Sequence, residues 1–218
     1  MASKAKIGVE MYSRTSSFEA GRTALLVVDM QNEFCIPGKD SQHPELDEQS
    51  YFHQRLTSTV LPNQAKLLNC GRRKNVEIVY TVIESLTKDG RDRSPDHKLS
   101  GIHVSRGSSG AKMPDAIAPH CDEIVIPKTS SGVFNSTNID YVLRNLGIRF
   151  LIVFGIVTDQ CVDMAVRDAA DRGYMVTMVD DASATLTRER HAAALSAFGG
   201  YCRIASTREV LALLEEIA

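Results

Sequence analysis

Strong charge of either sign is missing from this chain: 25 Lys and Arg stand against 27 Asp and Glu, a formal net charge of -2 at pH 7. That balance removes the electrostatic case for nucleic acid or an anionic membrane surface as a partner. No apolar run approaches the length needed to span a bilayer. Residues 1–21 carry Lys4 and Lys6 but no apolar core segment, so a secretory signal is not expected. That stretch reads as a short polar arm able to pack on a neighbouring subunit. The five cysteines, Cys35, Cys70, Cys121, Cys161 and Cys202, are odd in number and scattered, with no CxxC pair. Their pattern argues against a disulfide framework and a structural zinc site, and for a reducing, cytoplasmic compartment. No repeat and no linker interrupts the 218 residues, so a single domain over 22–218 behind the arm 1–21 is expected.

What is present is an alternation of strands and helices. Residues 23–30, TALLVVDM, form a near-continuous apolar run ending in a carboxylate, as for a strand buried on both faces. Further strands are expected at 76–83, 122–127, 150–157, 174–179 and 201–205. Helical spacing covers 51–74, with Pro62 near a first turn or kink. Helices also follow at 136–145, 162–172 and 187–198, and Ser206 with Glu209 forms a capping box before 210–214. Residues 31–49 and 84–112 are polar, Gly- and Pro-containing stretches read as long loops, the second too long to be mere connection. The pattern is that of an α/β protein, a parallel sheet with helices on both faces. Such sheets bind ligands at the carboxyl ends of their strands, near the point where strand order reverses. The residues to inspect are therefore Asp29, Glu84, Lys128, the segment 157–161 and Asp180-Asp181.

Cys161 falls in the first turn of a helix, where N–H groups and the dipole stabilise a thiolate. Most cysteines are instead small core hydrophobes, and the remaining strand ends have to decide between the two. Asp29 can accept the thiol proton and return it to a leaving amine, and Lys128 can favour the ionised forms of both. Cys161 would then attack a carbonyl and form an acyl-enzyme. N–H groups in the turn before it would stabilise the oxyanion, at about 3 kcal/mol per donor. No histidine follows an obvious strand end, which disfavours a Cys–His pair. Taken singly, Asp29 could cap a helix or pair with an arginine, Lys128 could be solvated, and Asp180-Asp181 could serve turns.

Three motifs in order carry a family resemblance: LLVVDMQNEF at 25–34, IPKTSSGVFNST at 126–137 and GIVTDQCV at 155–162, followed by RDAADRGY at 167–174. The chain resembles the isochorismatase-like cysteine hydrolases from Thr23 to about Leu214. The resemblance implies a three-layer, Rossmann-like α/β/α fold with six parallel strands in the order 3-2-1-4-5-6. It implies an Asp29–Lys128–Cys161 triad, a cis peptide at Ile156–Val157, and oxyanion donors at the N–H groups of Val157 and Cys161. Homodimers or homotetramers are common in the family, and no cofactor or metal is expected.

Isochorismatases proper, which cleave a vinyl ether, lack the cysteine, so Cys161 argues for C–N amide hydrolysis. Nicotinamidases carry an Asp/His metal cluster after the second strand. Residues 81–97 show no such His-rich spacing, and Asp96-His97 reads as a surface pair. The 127–137 segment is most similar to ureidoacrylate and N-carbamoyl amidohydrolases, which implies a small ureido or carbamoyl amide as substrate. Glu84 would then accept hydrogen bonds from a ureido –NH2, or else bridge to Arg91, Arg93 or Lys98 in its own loop. Phe34 and Phe134 would wall the pocket or belong to the core, while Gln31 and Asn135 would orient Asp29 or cap a helix. A nicotinamidase-type amidase and a non-catalytic binding or assembly member are the alternatives.

Overall fold

The computed structural model describes residues 13–36 and 48–217. The first part of the expected arm, 1–12, and the middle of the first loop, 37–47, lie outside the described residues. Six strands form one sheet: β1 Thr23–Val28, β2 Glu77–Ile83, β3 Ile124–Lys128, β4 Phe150–Gly155, β5 Met175–Val179 and β6 Arg203–Ala205. All neighbours pair in parallel, in the order β3-β2-β1-β4-β5-β6, as the resemblance implied.

Period-two alternation explains why β1 and β4 are apolar throughout. Leu25, Val27, Ile152 and Phe154 point into one core, whereas Ala24, Leu26, Val28, Leu151 and Val153 point into another on the opposite face. The first core is closed by the helix Leu61–Arg73, through Leu67 and Leu68, and by Thr207–Glu215, through Val210 and Leu214. The second is closed by Ile139–Asn145, Asp163–Asp171 and Arg188–Ala197. The result is three layers. Edge position accounts for the weaker strands: Pro127 lies in β3, where a missing N–H is tolerated, and β6 is only three residues long.

Several boundaries differ from expectation for physical reasons. The expected helix over 51–74 is continuous, but its turn Leu56–Val60 is a π-helix between Tyr51–Arg55 and Leu61–Arg73, with Pro62 in the first turn of the last part. Both long loops contain short helices, Asn32–Cys35 and Pro95–Leu99, the second capped by Ser94. β4 stops at Gly155 rather than at 157. Gly155 has φ of 135° and lies so close to the Val28 carbonyl that any Cβ would collide with it. The chain leaves the sheet there, and the Ile156–Val157 peptide is cis.

Residues 13–21, the described part of the expected arm, make contacts within the chain itself. Arg203 donates to the Arg14 and Ser16 carbonyls at 2.7 and 2.8 Å, and the Arg14 guanidinium donates to the Gly200 carbonyl. Phe18 is buried edge-on against Phe150, 6.2 Å between ring centroids. This part of the arm is therefore held on the chain's own β6 end by backbone carbonyls and one aromatic anchor.

Candidate active site

The carboxyl ends of β1, β3 and β4 bring three side chains together. Asp29 follows β1 directly, and its φ of 54° lies in the left-handed region that few residues other than Gly, Asn and Asp adopt. That conformation is held by its N–H on the Thr81 carbonyl at 3.0 Å and by the Thr81 hydroxyl donating to Oδ1 at 2.8 Å. Lys128, the last residue of β3, places Nζ 2.8 Å from Asp29 Oδ2 and 3.5 Å from Cys161 Sγ. The same ammonium donates to the Ser130 and Ser131 carbonyls at 2.8 and 3.1 Å, so its three hydrogens are shared among four acceptors. Asp29 and Lys128 are each 1% exposed and Cys161 6%. Apart from the ion pair, Asp29 Oδ2 makes no hydrogen bond among the described residues, which leaves it an acceptor.

Electrostatics in this dry cluster are set by burial. Burial pushes the Cys161 thiol up to about 12; Lys128 pulls it down, Asp29 pushes it up again, and a hydrogen bond from Ser131 favours the thiolate. Desolvation outweighs the helix start and the ammonium, so the sulfur keeps the proton that Asp29 is expected to accept. Burial pulls the Lys128 ammonium down, but the facing Asp29 carboxylate and the Cys161 sulfur outweigh it, and the net direction is upward. Lys128 is not solvated, and it stays an ammonium beside a neutral thiol.

The turn from β4 supplies backbone donors. The N–H groups on either side of Val157 are committed, Ile156 to the Val28 carbonyl at 3.0 Å and Thr158 to the Ala184 carbonyl at 2.9 Å. The Val157 N–H has no acceptor among the described residues. Cys161 lies in the helical turn Thr158–Val162 that leads into Asp163–Asp171. Beneath this turn the Thr158 hydroxyl is 2.9 Å from His191 Nδ1, and His191 Nε2 is 2.7 Å from Asp180 Oδ1, which Arg55 also engages at 3.1 Å. Asp180 accordingly serves the support of the turn, not the cavity.

A cavity of about 590 Å³ opens over Cys161 and Asp29, with Phe34, Ser131 and Val157 also in its wall. Of the remaining sequence-predicted residues, Phe34 reaches this wall and four do not. Gln31 is fully buried; its side-chain amide donates to the Ile83 carbonyl at 2.9 Å and accepts from the Ile83 N–H at 2.6 Å, locking the ends of β1 and β2 together. Phe134 is a core residue under the Arg172 guanidinium and beside Tyr174. Asn135 is exposed on the short helix Val133–Ser136. Glu84 makes none of the expected bridges to Arg91, Arg93 or Lys98: its Oε1 accepts the Gly107 N–H at 2.7 Å and so closes the long loop on itself.

Other residues enter unannounced. His97 is not half of a surface pair; it is fully buried, with Nε2 3.4 Å from Ser131 Oγ and Nδ1 without a partner among the described residues. Burial, with Lys128 nearby, lowers its basicity, so the ring is neutral. Asp96 beside it faces the cavity. Thr81 stands out as the one small polar residue inside the strand EIVYTVI, whereas nothing in the polar run around His97 marks that residue as buried. No group of three or more His, Cys, Asp or Glu able to hold a metal ion occurs among the described residues.

Fold and site define the class: a doubly wound α/β protein whose cavity opens at the point of strand-order reversal, over a buried thiol. The Isochorismatase domain model matches residues 23–209. The chain is 30% identical over 183 residues to a ureidoacrylate amidohydrolase of Agrobacterium fabrum, covering 77% of this chain and 78% of that one. It is 30% identical over 178 residues to a protein of Arabidopsis thaliana named a probable inactive nicotinamidase, covering 78% and 85%. A cysteine hydrolase from Pseudomonas syringae pv. phaseolicola superposes with a TM-score of 0.79 at 25% identity, covering 92% of this chain and 95% of that one. The chain belongs to the isochorismatase family and is a hydrolase.

Proposed function

We propose that this hydrolase is a cysteine-dependent amidohydrolase that cleaves the C–N bond of a small ureido or carbamoyl amide through an acyl-enzyme at Cys161. The observation that carries this reading is Lys128 Nζ standing 2.8 Å from Asp29 and 3.5 Å from Cys161 at the cavity floor. A neutral thiol beside an ionised carboxylate calls for concerted transfer. Asp29 takes the Sγ proton as sulfur attacks the carbonyl carbon, and the carbonyl oxygen gains the negative charge. The N–H groups of Val157 and Cys161 receive that oxyanion, at about 3 kcal/mol per donor. As the tetrahedral intermediate collapses the C–N bond breaks, and Asp29 passes the proton to the departing nitrogen. A water then attacks the thioester carbonyl, gives its proton to Asp29, and expels Cys161 as the thiol after that proton returns to sulfur. Lys128 stays charged throughout and offsets the negative charge as it moves between carboxylate and sulfur. A ureido substrate so cleaved at its terminal nitrogen releases ammonia.

Support from relatives is of two kinds. The Agrobacterium protein is named for a ureido substrate. The Arabidopsis protein's name favours a second reading, a member that binds without turnover. An ammonia-release screen over ureido compounds, carbamoyl amino acids and nicotinamide decides between them. Cys161→Ala is expected to lower turnover by about 10,000-fold, since removal of a nucleophile disables the whole unit. Mass spectrometry during turnover should find one acyl group on Cys161. Near-normal turnover by Cys161→Ala, or silence of the intact protein across the screen, would defeat the proposal.

A further inference from the structure

A substrate with a carboxylate would meet no cation among the described residues that line this cavity. Its described lining contains four carboxylates, Asp29, Asp96, Asp159 and Asp163, and no Lys, Arg or His. Three of the four are matched by cations set behind the wall. Lys128 pairs with Asp29 at 2.8 Å, Arg190 with Asp159 at 2.5 Å, and Arg167 with Asp163 at 2.9 Å. The Thr185 hydroxyl further binds Asp159 at 2.5 Å, so that carboxylate is held in place as well as neutralised. Asp96 differs. It sits in the first turn of Pro95–Leu99, is exposed, and makes no ion pair among the described residues. Much of the rest of the wall is apolar, with Phe34, Phe52, Ile83, Ile102, Met164 and Leu186.

We infer that the cavity takes an amide whose far end is uncharged or cationic, and that Asp96 sets this preference by accepting hydrogen bonds from that end. The inference rests on the amidohydrolase reading for its chemistry, but not for its binding. With the other three carboxylates paired, the described lining carries one net negative charge, which acts on a charged ligand in the cavity. A carboxylate entering here loses hydration and gains no cationic partner among the described residues. An ammonium or a urea –NH2 gains one. The volume of about 590 Å³ exceeds what a bare amide fills, so there is room for an arm between the scissile carbonyl and Asp96. The relative named for ureidoacrylate takes a substrate that carries a carboxylate, so the two proteins should differ in selectivity despite their shared fold.

The test uses three ureas of nearly equal size: 3-ureidopropionate, propylurea and 3-ureidopropylammonium. Ammonia release is measured on the intact protein, and calorimetric binding on Cys161→Ala, so that affinity is read without turnover. The expected order is ammonium, then neutral, then carboxylate, with about tenfold between neutral and carboxylate, narrowing as salt is raised. Asp96→Asn should compress that spread, and Asp96→Lys should reverse it. Equal or tighter binding of 3-ureidopropionate, or a spread that Asp96→Asn leaves intact, overturns the inference. Absence of hydrolysis with the same binding order preserved would defeat the amidohydrolase reading alone and support the charge preference.

Discussion

At the scale of single residues, the cluster under the cavity is defined by desolvation. Asp29 and Cys161, whose ionised forms would each favour water, are packed within hydrogen-bonding distance of the Lys128 ammonium, and the one that can become neutral without losing a partner does so. With Cys161 pushed up to about 12 by burial, the thiol holds its proton at pH 7 and should alkylate more slowly than free cysteine. Asp29 both raises the thiol and, in the proposed mechanism, removes its proton. Asp29→Asn should therefore move two measurements in opposite directions. Turnover should fall by about 1,000-fold, while iodoacetamide labelling of Cys161 at pH 7 speeds up. Both falling together would mean that Asp29 holds the fold or the thiolate and is not the base. Phe34, Gln31 and Glu84 show the same principle from the other side. An aromatic at a strand end can reach a cavity, but an amide or carboxylate near one is taken by the nearest unsatisfied N–H or carbonyl, as Ile83 and Gly107 show.

At the scale of elements, the site depends on how β1 and β4 end side by side. Val28 pairs with Gly155 in the ladder, and the Val28 carbonyl accepts from Ile156 just where the chain turns away. A Cβ at residue 155 would meet backbone, which cannot rotate aside as a side chain can. Gly155→Ala should therefore destabilise by about 3 kcal/mol or more, and should depress turnover in whatever fraction folds, because Asp29 and Val157 flank the contact. Thermal unfolding together with activity per folded molecule checks this. A stable variant of normal activity would show that the close approach is relieved at little cost. The helices answer to simpler rules: Ser50, Ser94, Thr187 and Ser206 each accept an N–H three residues on, and Glu209 completes the capping box at Ser206.

At the scale of the whole molecule, ion pairs tie the outer layers to the sheet. Arg72, on the helix Leu61–Arg73, makes two bonds to Glu123 at 2.8 and 2.9 Å, another to the Ala118 carbonyl at 3.1 Å and one to the Tyr80 hydroxyl at 3.2 Å. Burial alone would raise the Glu123 carboxyl, but Arg72, the His120 N–H and Tyr80 together hold it below its ordinary 4.5. A lowered carboxyl contributes stability that is present above 4.5 and is lost as pH falls through the folded-state value. Glu123→Gln should thus cost about 2 kcal/mol in denaturant unfolding at pH 7, with the difference from the unmodified protein shrinking as pH falls below 4.5. A difference independent of pH would mean that shape, and not charge, holds this corner.

Much of the architecture was legible in the order of residues. Apolar runs at 23–28 and 150–155 have no polar face to offer water, so they had to be central strands, and their alternation with amphipathic stretches required a parallel sheet. The strand-end positions of Asp29, Lys128 and Cys161 followed from the same pattern, since a parallel sheet collects its carboxyl ends on one side. Local spacing carries no information about which polar groups meet across a long loop. That is why Glu84 was expected at the cavity and His97 on the surface, and why the protonated state of Cys161 could not be read from its place at a helix start. Burial and the arrangement of charge around a group depend on contacts between segments far apart in sequence. Only the packed tertiary structure decides them, and with them the Asp96 carboxylate, which faces the cavity without an ion pair among the described residues.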